Sequence, residues 1–96
     1  MSDVLDELLK GVLKEGELIK IRLDRRKGGS KLVTVIEGID EKHFNHREIV
    51  SKLKAKLACG GTAKDGRIEL QGDHRHKVKD LLIEMGFSPT NIIVEE

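Results

Sequence analysis

The twenty residues "ACGGTAKDGRIELQGDHRHK", Ala58 to Lys77, contain a lone cysteine, two histidines and four glycines, and their reading decides the fold. "GTAK" and "RIELQ" are two short strands joined at Asp65-Gly66, the dipeptide favoured in type I′ hairpins. Alternation turns Ile68 and Leu70 inward. Gly72 breaks the second strand and Asp73 is placed to cap a helix whose core face is Val78, Leu81, Leu82 and Met85. Ile83 lies off that face, at an edge or interface. Gly86 stops the helix, Pro89 prevents its continuation, and "NIIVE" is a final strand.

Working back towards the N-terminus, Ile49, Val50, Leu53 and Leu57 mark an earlier helix over residues 45 to 58. Asn45 is its N-cap, Glu48 closes a capping box, and Gly60 and Gly61 stop it. Before it, "ELIKIRL" puts Ile19, Ile21 and Leu23 on one face of a strand, and "KLVTVIEG" supplies a β-branched second strand. "DRRKGGS" between them is a hairpin tip where Gly28 and Gly29 permit positive φ, so Arg25, Arg26 and Lys27 project from its end. In the leader, Val4, Leu5, Leu8, Leu9, Val12 and Leu13 recur at helical spacing and Gly16 ends the run. Residues 1–16 are therefore read as an amphipathic leader and residues 17–96 as one domain. The fold class is α+β: a two-layer sandwich, β-β-α-β-β-α-β, with two helices packed on one face of a largely antiparallel sheet and an N-terminal amphipathic helix.

Ninety-six residues bury roughly two-thirds of the unfolded surface in a single core. Aromatics are only 2% of the chain, Phe44 and Phe87, so a base-stacking sheet is disfavoured. One cysteine gives no disulfide framework, and no apolar run reaches the ~18 residues of a membrane span. A cytoplasmic protein is expected. Charge is unevenly distributed: residues 20–79 hold sixteen Lys or Arg against eight acids, while residues 1–19 and 80–96 are net acidic. A basic middle points to a polyanion, although a solvated surface accounts for the same count.

Chemistry is sparse. Cys59 at a helix C-terminus faces the negative end of the helix dipole, the wrong environment for a thiolate. Cys59, Asp73, His74 and His76 lack zinc-ligand spacing, "KGGSK" and "CGGTAK" lack phosphate-loop spacing, and Asp65 and Glu69 are read as solvent-exposed. No catalysis, metal or cofactor is expected. Six cations against one acid between Lys20 and Lys31 form the clearest signal. On a two-stranded arm they can contact the phosphates of folded RNA without reading bases.

The "ACGGTAKDGRIELQGDHR" stretch, with the "RRKGGSK" tip and the element order, closely resembles archaeal members of the eukaryotic and archaeal translation initiation factor 1 family over about residues 17–94. The resemblance implies a non-enzymatic factor that binds the small ribosomal subunit near the P site and enforces start-codon and initiator-tRNA selection. It implies ribosomal RNA against Arg25, Arg26, Lys27, Gly28, Gly29, Ser30 and Lys31. A subunit-directed face at Lys52, Lys54 and Lys56 follows in the same way, as does a loop facing initiator tRNA at Lys64, Asp65, Gly66 and Arg67, shorter here than in eukaryotic members. Messenger RNA and other initiation factors are implied neighbours, with a monomer off the ribosome. Many archaeal relatives resemble zinc-binding proteins in their leader, whereas "DVLDELLKGVLKEGEL" has no cysteine. Similar domains occur fused in reinitiation or recycling proteins, over which a 96-residue chain favours the initiation factor, and the apolar leader with Ile83 also fits a protein-interaction module.

Overall fold

The computed structural model describes residues 18–96; the leader helix expected over residues 1–16 lies outside them. Strands β1 (Ile19–Arg26) and β2 (Lys31–Glu37) are followed by helix α1 (His46–Leu57), strands β3 (Gly61–Lys64) and β4 (Arg67–Gln71), and helix α2 (Arg75–Glu84). A 3₁₀ turn, Pro89–Asn91, then leads into β5 (Ile92–Val94). The sheet order is β3-β4-β2-β1-β5. Neighbouring strands pair antiparallel except β5, which runs parallel to β1 with Ile19 opposite Ile92.

Register explains the core. Ile21 opposes Ile36, Ile36 opposes Ile68, and Ile68 opposes Ala63, so one row of apolar side chains crosses four strands on a single face. Ile49, Val50 and Leu53 of α1 and Val78 and Leu82 of α2 join them in one buried cluster. Both helices therefore cover the same face of the sheet. Ile83, expected off the core face, packs partly buried against the cluster with Leu81 and Met85.

The helix ends differ in detail from the sequence expectation. Asn45 caps α1 as expected, its side chain accepting from the Arg47 and Glu48 amides at 2.9 and 3.3 Å. Helix α1 ends before its glycines, because Ala58 itself adopts the left-handed conformation (φ 51°) and its amide donates to the Lys54 carbonyl. Helix α2 is capped by His74, not Asp73. Asp73 instead accepts from the Arg75 guanidinium at 2.9 Å, an ion pair that holds its carboxyl below the usual range.

Thr34, fully buried in β2, holds the start of α2 in place. Its hydroxyl donates to the Gly72 carbonyl at 2.6 Å and accepts from the His74 amide at 2.8 Å. A buried hydroxyl with donor and acceptor both used is a directional clasp that a methyl cannot replace. Replacing Thr34 with Val is expected to destabilise the fold by ~1–3 kcal/mol, read as a lower urea midpoint at unchanged slope.

Candidate nucleic-acid interface

Strand β1 continues to Arg26 and β2 begins at Lys31, so the projecting loop is only Lys27–Ser30. Lys27, Gly28 and Gly29 all have positive φ (53°, 65° and 90°), and a Cβ on either glycine would meet nothing within 4 Å. The glycines serve the turn rather than a close approach. Gly29 and Ser30 amides close the loop onto the Arg26 and Lys27 carbonyls at 3.1 and 3.3 Å, and the Ser30 hydroxyl donates to the Lys27 carbonyl at 2.8 Å. Arg25, Lys27 and Lys31 are exposed and make no ion pair among the described residues.

Arg26 behaves differently. Its guanidinium leaves the tip, crosses β2 on the face that carries no helix, and donates to both Glu69 oxygens at 3.2 and 3.1 Å and to Asp24 at 3.0 Å. Arg67 donates to the same Glu69 carboxylate at 2.8 Å. The solvent-exposed position expected for Glu69 is thus overturned: Glu69 is 8% exposed, beneath two arginines. Their hydrogen bonds, Arg26 first and Arg67 second, lower its pKa to about 2. Val35, wholly buried on this helix-free face, lies level with Arg22 on one side and Glu69 on the other. Arginine stems and the salt-bridge cluster therefore cover its apolar surface.

The helix lysines are exposed but do not form one face. Lys52 and Lys56 are four apart and align, whereas Lys54 lies ~100° further round for each residue of offset. Lys54 leans over β3, its Cγ 3.4 Å from where a Cβ on Gly61 would stand. Lys54 and Lys56 occupy the last turn of α1. That turn precedes Gly60, whose carbonyl accepts from Gln71, beside Val33 in register, so these lysines approach the tip end of the sheet.

The β3–β4 turn is the expected type I′ pair, with Asp65 and Gly66 at φ 50° and 77°. Lys64, Asp65 and Gly66 are exposed, while Arg67 is half-buried against Glu69. Because β4 runs antiparallel to β2 with Ile68 opposite Ile36, this turn lies at the opposite end of the sheet from Lys27–Ser30. Seven residues of β2 separate the two ends. At ~3.4 Å per residue that is ~20 Å. An open hollow of about 490 Å³ beside the turn is lined by Lys42, Arg47 and Lys64, by the acids Glu41 and Asp65, and by His43. Lys42 escaped notice in the sequence because it sits in an irregular connection without periodicity.

Among the described residues no three His, Cys, Asp or Glu side chains are placed to hold a metal ion. His74 Nε2 donates to the Gln71 carbonyl at 2.9 Å, His76 pairs with Glu96, and Asp73 with Arg75. Burial pushes the Cys59 thiol up, against a weaker downward pull from Lys54. A thiol held neutral is a poor nucleophile.

Residues 15–88 match the family model described as Translation initiation factor SUI1. The chain belongs to the SUI1 translation initiation factor family. It is 63% identical over 92 residues to the "Protein translation factor SUI1 homolog" of Pyrococcus horikoshii, covering 95% of this chain and 92% of the relative. The Thermococcus kodakarensis homologue of the same description is also 63% identical over 92 residues, covering 95% and 93%, and that of Hyperthermus butylicus is 53% identical over 90 residues, covering 94% and 86%. Membership of the SUI1 family assigns this chain a non-enzymatic role in translation initiation. Its recurrence in archaeal proteins identifies it as an archaeal-type member.

Glu69 gives a pH test. Its folded pKa, about 2, is below the ordinary 4.5, so its stabilisation is present above pH 4.5 and is lost as pH falls towards 2. Glu69→Gln is expected to cost ~2 kcal/mol at pH 7, with the gap to wild type closing as pH falls from 4.5 to 2, read by urea unfolding across that range. A gap independent of pH would show that the carboxylate charge contributes nothing.

Proposed function

We propose that this factor binds the small ribosomal subunit near the P site through ribosomal RNA and enforces start-codon and initiator-tRNA selection. The observation that carries this reading is the β1–β2 tip, where Arg25, Lys27 and Lys31 stand exposed on a two-stranded arm within a domain of the SUI1 family. Neither aromatic residue belongs to the tip, so its contacts are to phosphates, with Arg25 able to stack on a base. Arg26 contributes indirectly, by bracing the arm through Glu69. Lys54 and Lys56 extend the cationic surface at that end, and Lys52 flanks it.

The Lys64–Arg67 turn, ~20 Å away along the sheet, faces initiator tRNA in this arrangement. Contacts at two ends suit a factor that lies between subunit RNA and tRNA, close to messenger RNA and to other initiation factors. Specificity then arises by competition. A correct codon–anticodon helix supplies enough free energy to displace the factor, whereas a wrong one, weaker by even 1.4 kcal/mol, does so about tenfold less often. Off the ribosome the factor is a cytoplasmic monomer.

Toeprinting on a reconstituted archaeal initiation system tests this directly. Wild-type factor is expected to suppress complexes on a near-cognate codon relative to AUG, and alanine at Arg25, Lys27 and Lys31 together to relax that ratio severalfold. Equal ratios with and without wild-type factor would refute the fidelity role.

A further inference from the structure

One described hydroxyl is placed unlike the rest. Ser30 closes the β1–β2 loop at its exposed tip, with Lys27 three residues before it, Arg25 five before and Lys31 directly after. Among the other described hydroxyls, Thr34 is buried with its donor and acceptor both used, Ser51 is fixed within helix α1 and Thr62 within strand β3. Ser88 and Thr90 hydrogen-bond each other at 2.8 Å in a stretch, residues 85–94, that holds no charged residue. Among them only Ser30 joins exposure, a loop backbone and neighbouring cations.

We infer that Ser30 is a phosphorylation site for a protein kinase that selects basic segments, and that its phosphate closes the tip to polyanions. A kinase cleft takes its substrate as an extended segment, and this loop can open to supply one. Its own hydrogen bonds are the Gly29 and Ser30 amides onto the Arg26 and Lys27 carbonyls, at 3.1 and 3.3 Å, and the Ser30 hydroxyl onto the Lys27 carbonyl at 2.8 Å. Gly28 and Gly29 pass from positive φ to extended backbone at little steric cost, and Lys27, held at φ 53°, loses strain on the way. Acidic side chains lining such a cleft then meet Arg25 and Lys27 together. In the transfer, Ser30 Oγ attacks the γ-phosphorus of a nucleoside triphosphate. The bond from that phosphorus to the β–γ bridging oxygen breaks, the nucleoside diphosphate leaves, and the hydroxyl proton passes to the kinase's catalytic carboxylate.

Charge makes the modification a switch. Arg26 is already neutralised by Glu69 and Asp24, so what the tip offers a polyanion is the three charges of Arg25, Lys27 and Lys31. A phosphoserine adds about −1.5 to −2 at pH 7, leaving the tip at about +1. The esterified Oγ can no longer donate to the Lys27 carbonyl, and the phosphate oxygens pair instead with the ammonium groups beside them, in the place an RNA phosphate would take. The consequence for RNA rests on the tip being the RNA-contacting end; the assignment of Ser30 as the modified residue does not.

Two measurements decide it. The full chain, incubated with ATP and an extract of the source archaeon, is expected to carry phosphate at Ser30 by peptide mass spectrometry, absent from Ser30→Ala and retained in Ser51→Ala. No phosphate, or phosphate on other residues only, overturns the inference. A Ser30→phosphoserine chain, made by translational incorporation, is then compared with the unmodified chain and with Ser88→phosphoserine, which the β1–β5 pairing puts at the opposite end of the sheet from the tip. The Ser30 form is expected to bind a ~20-base-pair RNA duplex about tenfold more weakly at ~0.1 M salt, with a log–log salt slope smaller by about two, while the Ser88 form keeps both values. Equal affinities of the Ser30 form and the unmodified chain, or no binding by either, overturn the switch. Weaker duplex binding by the Ser30 form, together with an unmodified chain that has no affinity for small ribosomal subunits, would refute the subunit reading and leave the switch standing.

Discussion

A carboxylate pinned beneath two arginines sets what the helix-free face of this sheet can present. Glu69 is the shared acceptor of Arg26 and Arg67, and the cluster roofs a β2 stripe in which Val33 and Val35 are buried without a helix above them. An exposed ion pair contributes little, but a carboxylate this buried becomes a liability if its arginines are lost, since only Arg26 and Arg67 compensate its charge. The cluster also divides the basic hairpin. Arg26 belongs to the fold, while Arg25, Lys27 and Lys31 remain available to a polyanion.

Placement along the strands is the second constraint. In the β1–β2 and β3–β4 hairpins, with β2 and β4 antiparallel neighbours, the two turns must fall at opposite ends. The cationic surface is therefore two sites ~20 Å apart rather than one patch. Helix α1 joins them, starting beside the Lys42–Arg47 hollow and ending with Lys54 and Lys56 towards the tip. In the function proposed above, a rigid spacer with cations at both ends would let a small factor touch two partners at once.

Local signals were legible in the sequence, and long-range register was not. Asp65-Gly66, Asn45 and the alternation of "ELIKIRL" are written in neighbouring residues, and the turn, the cap and the inward Ile19 and Ile21 follow from them. Glu69 alternates with Ile68 and Leu70, and in a sheet with one covered face alternation ordinarily means solvent. Its burial depends on Arg26, 43 residues away across β2, a relation no local period encodes. The contact of the Phe44 and Phe87 rings, centroids 4.8 Å apart, was hidden for the same reason. The family resemblance groups Lys52, Lys54 and Lys56 as one face, although helical rotation separates Lys54 from Lys52 and Lys56.

The central claim, that the three tip cations form the RNA-contacting end, is tested most directly by the salt dependence of binding to archaeal small ribosomal subunits. Wild type would be compared with the Arg25, Lys27 and Lys31 triple alanine variant and with a Lys64→Ala control from the opposite end. A lower affinity and a log–log salt slope smaller by about two to three units for the triple variant, with the control retaining the wild-type slope within one unit, is the predicted result. Equal slopes for wild type and the triple variant would contradict the account.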